Sequence, residues 1–159
     1  MSSDLNLLLA VLDRAYDRQS WHGTNLKGAV RGLPPSAAAW RPAAGRHNIW
    51  EIVVHCAYWK YAVWRRLTGA TRGSFPLEGS NWFERGAADG AARWAADRRL
   101  LDVMHRQLRA AVAAVPAGRL RTRSTGLKTS PLDLVTGIAA HDLYHAGQIQ
   151  LIKRLQQGT

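Results

Sequence analysis

His141 and His145 stand four residues apart in a stretch of helix-forming residues, a spacing that stacks two imidazoles on one face of a helix. At roughly 100° per residue their direction coincides with that of Leu134, Ile138, Ile149 and Ile152, so both rings point toward an apolar interior. Polar groups in such a place must be neutralised, hydrogen-bonded or ligated. A metal ion resolves both at once, because neutral imidazole is a common ligand and two facing nitrogens supply half of a tetrahedral shell. The alternative is a pair of hydrogen-bonded core or surface histidines, which the spacing alone does not exclude.

A third ligand has to come from another element, and His55 is the best placed, at the border of an apolar stripe that includes Ile52, Val53 and Cys56. Glu51, one turn earlier, and Asp142 are candidates for the outer groups that accept an imidazole N–H and fix ring orientation. His22, beside Gly23, is a candidate extra ligand or acid/base, against the plainer reading of an exposed loop histidine. His47 reads as a loop or capping residue and His105 as part of a charged helix face. Cys56 follows His55 directly and so points about 100° away from it, which places it in the apolar stripe rather than in a nucleophile's position.

These side chains need helices to hold them. Leu5, Leu8, Leu9, Leu12 and Tyr16 recur at helical spacing; after a bend around Gly23, Leu26, Val30 and Leu33 continue the stripe until Pro34 and Pro35 stop it. Asn48 with Glu51 three residues on forms a capping-box pattern and Gly69 a terminator, predicting a second helix over about 48–68. A third is predicted from Ala91 to Val115, and a fourth from Ser130, Pro131 and Asp133 to about Gln156. Residues 70–90, with five glycines or prolines around Trp82 and Phe83, predict a long loop whose aromatics shape a pocket. The expected fold is all-α, an antiparallel four-helix bundle, with residues 1–159 forming one domain.

Composition bounds the remaining possibilities. Hydrophobic residues at 47% and charged residues at 21% are globular values and exclude a disordered chain. No apolar run reaches roughly 18 residues, so no membrane span is expected. The single cysteine excludes an internal disulfide framework and fits a reducing, cytoplasmic setting. A net charge of +11 would suit nucleic acid, but the arginines are dispersed in pairs such as Arg65 with Arg66, which favours a solvated surface over a binding stripe.

The segment from Gly45 to Trp59, GRHNIWEIVVHCAYW, resembles the second-helix signature of the DinB-like (YfiT-like) metalloenzyme superfamily. The segment from His141 to Ile149, HDLYHAGQI, resembles its last helix, and the Trp21-His22-Gly23 segment is similar as well. The resemblance implies a four-helix bundle in which His55, His141 and His145 bind a divalent metal, with zinc or nickel favoured and iron or manganese also accepted by imidazole. It implies a metal-dependent enzyme of thiol S-transferase or hydrolase type, taking a small-molecule substrate and a low-molecular-weight thiol, and a homodimer as in relatives. The competing expectation is a non-catalytic, stress-associated protein that binds metal or sequesters a small molecule.

Overall fold

Two capping boxes set the starts of the helices that carry the three histidines. The computed structural model describes residues 3–123 and 128–158. Asn48 Oδ1 accepts from the Glu51 amide at 2.8 Å while the Glu51 carboxylate takes the Asn48 amide, and α4 runs from Ile49 to Thr68. Gly69, in the left-handed region at φ 73°, ends it, a conformation that costs a residue with a Cβ about 1 kcal/mol or more. Ser130 and Asp133 close the second box, with Pro131 at the first position where its missing N–H costs nothing, and α6 extends from Pro131 to Gln156.

The other long helices are α1, Ser3–Tyr16, and α5, Gly90–Ala113; two short ones, α2 (Leu26–Ala29) and α3 (Pro35–Ala39), lie between α1 and α4. Among the described residues there is no strand. α4 packs on α5 and α6, and α1 on α5 and α6, so the four long helices close a ring. The chain is an all-helical four-helix bundle.

Its core has two connected regions. One surrounds the fully buried Trp50, between α4, α5 and the C-terminal half of α6; the other joins Leu8, Leu9 and Leu12 of α1 to Leu108 and Val112 of α5 and to Val135 of α6. Trp50 shows how the large aromatics are accommodated: its Nε1–H donates to Asp97 at 2.8 Å, so the indole is buried without an orphaned donor.

The stripe expected to continue through Leu33 shortens to a single turn. Asn25 caps α2 by accepting from the Gly28 amide at 2.8 Å, and Gly32 turns left-handed at φ 69° before the two prolines. The capping bond is local and strong enough to start a helix, but no residues remain to propagate it. α5 begins and ends one to two residues earlier than the periodicity predicts, as fraying ends do.

Candidate metal centre

α4 and α6 bring His55, His141 and His145 together at their interface. His55 Nε2 lies 3.1 Å from His141 Nε2, and His145 Nε2 lies 3.2 Å from that same atom. The outward-facing nitrogens define the tautomers. His55 Nδ1 is 2.8 Å from the carbonyl oxygen of Asn81, which can only accept, so Nδ1 carries the proton. Gln148, whose Nε2 donates to Tyr144 Oη at 3.0 Å, turns its Oε1 to His145 Nδ1 at 2.7 Å and fixes that proton likewise. Both rings therefore aim an Nε2 lone pair at the same point.

Neutral imidazoles cannot satisfy this arrangement by themselves. A proton on His141 Nε2 serves one neighbour and leaves the other contact lone pair to lone pair; a proton on His141 Nδ1 sits on a buried atom with no partner. A cation at the centre takes the Nε2 lone pairs of all three rings and leaves the His141 proton on Nδ1. Tetrahedral ligands at the zinc–imidazole bond length stand about 3.3 Å apart, close to the spacings seen here. The spacing of the three Nε2 atoms and the all-imidazole donor set fit a divalent metal.

Electrostatics favours the ligating form. Burial is the main reason that the His55 pKa is pushed down to about 4, with the Asn81 carbonyl opposing it and His145 and His47 adding to it. Burial also takes His141 down to about 3, helped by His145, His55 and Lys60, and lowers His145 against the opposing bond to Gln148. All three are neutral near pH 7, so a metal need displace no proton from them.

The long loop forms the wall of the site. Asn81 adopts a left-handed backbone at φ 63°, aims its carbonyl at His55 and accepts from Trp59 Nε1 through its side chain at 2.9 Å. Trp82 stacks on His55 with ring centroids 3.8 Å apart, and His47 stacks on the other side of the same indole at 3.6 Å. Asn81→Ala is expected to lower stability by about 1–2 kcal/mol, through the lost bond to Trp59 and the left-handed backbone that alanine disfavours. Urea denaturation measures this, and Asn81→Gly, which relieves the strain but not the lost bond, should fall between alanine and wild type.

Glu51, expected behind an imidazole of the cluster, is occupied elsewhere. It pairs with Arg41, bonds His47 Nδ1 at 3.0 Å and accepts the Arg85 amide at 3.3 Å. Burial pushes its pKa up, but these donors outweigh burial and hold it below the usual carboxylate range. Its influence on His55 is thus indirect, through His47 and Trp82. His22 is exposed and lines a separate cavity with Arg14 and Leu143, the latter about 200° around α6 from His141. It stands outside the cluster.

Asp142 lies behind the site, fully buried and paired with the equally buried Lys60 of α4. Asp142, Cys56 and His141 also offer donor atoms within 4.8 Å of one another, a second set of ligand types. The Lys60 ammonium already supplies a cation to that carboxylate. Burial, followed by the nearby Asp142, raises the Cys56 thiol well above its usual range and keeps it protonated. This inner set is therefore a poor second metal site.

Sequence reasoning placed Trp82 in a pocket wall but missed its stack on His55, and it missed Asn81, Gln148, Lys60 and the burial of His105. Two of these had a signal: Gln148 follows His145 by three residues on the same helix face, and Lys60 interrupts the apolar stripe midway between Cys56 and Val63.

A cavity of about 800 Å³ opens onto the three histidines. Ile52, Leu151, Ile152 and Leu155 line part of it, together with Arg46 and His47, and among the described residues no Asp or Glu lines it. Among the described residues, no helix is long and apolar enough to cross a membrane. No curated protein and no solved structure matches the chain. A family model, the DinB superfamily, matches residues 18–149, a span that holds all three histidines and the loop that walls them, and the chain therefore belongs to the DinB superfamily.

Proposed function

We propose that the protein is a metal-dependent enzyme that holds one divalent ion on His55, His141 and His145 and activates a thiol or water there for transfer to, or hydrolysis of, a small electrophile. The observation that carries this reading is the convergence of the three Nε2 atoms, two of them oriented by Nδ1–H bonds to Asn81 and Gln148. Three protein ligands leave a coordination position for an exchangeable group, as catalytic sites do and closed structural sites do not. When bound, the ion would supply Lewis acidity that favours the thiolate or hydroxide form of its fourth ligand.

The residues around it have their own tasks. Asn81 and Gln148 keep two imidazoles in the ligating tautomer, and the stack of His47 on Trp82 on His55 restrains the ring that bridges helix and loop. A cavity without carboxylates, with Arg46 in its lining, favours an anionic partner such as an acidic low-molecular-weight thiol. The apolar wall from Ile52 to Leu155 suits the hydrophobic part of an electrophile.

The assay is thiol consumption with a generic electrophile, with and without zinc or nickel. Turnover should require both protein and metal, and His145→Ala should lower it at least ~100-fold, since removal of a stabilising group in a site typically costs that much. Arg46→Ala should raise KM for an acidic thiol while changing kcat little. Turnover that survives His145→Ala would eliminate the mechanism.

A further inference from the structure

The side of His141 that faces away from the cluster meets an enclosed polar network. Its Nδ1 is buried and lacks a hydrogen-bond partner, and so does Oδ1 of the neighbouring Asp142. The other carboxylate oxygen of Asp142 takes the ammonium of Lys60, and both side chains are wholly shielded from solvent. Lys60 is held in turn: its Nζ lies 3.4 Å from His105 Nδ1 and 4.7 Å from the centre of the Tyr16 ring, on which His105 stacks at 3.8 Å. Tyr16 Oη donates to Asp102 at 2.5 Å, and Lys27 pairs with that carboxylate at 2.8 Å nearer the surface.

Such a pair is expensive to bury, and an apolar replacement of the same volume is often as stable or more so. Packing therefore does not explain it. A ligating imidazole, by contrast, requires an acceptor for its second N–H, both to avoid an orphaned donor and to fix the tautomer. A ligand atom of Asp142 and one of His141 lie within 4.8 Å of each other, and no direct hydrogen bond joins the unpartnered Oδ1 and Nδ1, a spacing that two bonds through one water span. Enclosed waters typically sit where several otherwise unpaired polar atoms face one another.

We propose that the buried Lys60–Asp142 pair is a positioning device for His141, in which Asp142 Oδ1 accepts the Nδ1–H of His141 through one enclosed water and keeps Nε2 unprotonated toward the cluster. Lys60 holds the carboxylate in place, and His105 with Tyr16 holds Lys60. Asp142 is thus a positioning residue that acts through His141. Its consequence for a metal rests on the three-histidine reading of the preceding subsection; its consequence for the tautomer does not.

The test compares the full chain with the double variant Lys60→Met, Asp142→Leu, which removes both charges together and leaves no buried ion unpaired. Nitrogen-15 NMR of the metal-free imidazoles reads the tautomer, and a zinc titration reads affinity. Wild type should show His141 protonated on Nδ1, and the folded double variant should show a mixed or reversed tautomer with zinc bound 10–100-fold more weakly, the range typical of lost outer-shell partners. A double variant with the wild-type tautomer would overturn the inference, whatever its zinc affinity. A wild type that takes up no zinc but shows the tautomer change would sink the metal reading and leave the positioning role standing. Should the double variant fail to fold, Lys60→Leu, Asp142→Val, which likewise leaves no acceptor and no unpaired charge, gives the same tautomer readout, and an unchanged His141 there overturns the inference equally.

Discussion

Wild-type protein purified without an affinity tag and saturated with zinc is expected to carry about one ion per chain and to melt roughly 8–16 °C above its chelator-treated form. The size follows from linkage. Ligand at a thousand times its dissociation constant stabilises the native state by about 4 kcal/mol. A domain of this size gains about 2–4 °C for each kcal/mol. The variant His55→Ala, His141→Ala, His145→Ala should hold no zinc and show no shift, because it loses the three nitrogens that meet at the α4–α6 interface. Cys56→Ala should behave as wild type, since the inner group of Cys56, His141 and Asp142 already has its cation in Lys60. Elemental analysis and differential scanning calorimetry make both measurements. If zinc raises the melting temperature of the triple variant as much as that of wild type, the ion sits elsewhere and the enzyme reading loses its foundation.

Acid should destabilise the metal-free protein well before its carboxylates titrate. Four histidines are held neutral by the fold: burial, followed by the nearby Lys60, takes His105 down to about 2, and burial likewise takes His141 to about 3, His55 to about 4 and lowers His145. In the unfolded chain each titrates near its ordinary value of 6.5. Between those limits the unfolded state binds more protons than the native state, so stability rises with pH. The contribution is complete above about pH 6.5 and is lost progressively as pH falls toward the folded values. At pH 5.5 the loss is roughly 1 kcal/mol each for His55, His105 and His141, after discounting for solvent at the half-buried His141, or about 3 kcal/mol together, and His145 adds in the same direction. That is a large part of a typical domain's 5–15 kcal/mol. Urea denaturation in chelator at pH 7.5 and 5.5 checks it, and His105→Phe, which keeps the ring stacked on Tyr16, should remove roughly 1 kcal/mol of the difference. Equal stability at the two pH values would mean that the histidines protonate freely in the folded state.

What the sequence determined by itself about this protein is what local spacing can carry. Helix caps act within four residues, so Asn48 with Glu51, Gly69, and Ser130 with Asp133 marked the bounds of α4 and α6 closely. Helical periodicity fixes direction, so the stacking of His141 over His145 and their inward aim were legible, and His55 could be named from its place beside the apolar stripe. The family resemblance rested on those same two segments.

Only the tertiary structure decided who meets whom. Glu51 lies one turn before His55 and shares its side of α4, yet Arg41, His47 and the Arg85 amide reach it first, because a carboxylate goes to the strongest available donors whatever its position along the helix. The loop carbonyl that orients His55 belongs to Asn81, 26 residues away, and the Lys60–Asp142 pair joins positions 82 residues apart. Periodicity gives each side chain a direction about its own axis. The partner at the end of that direction is set by how the helices and the long loop pack, through distances that no local pattern encodes.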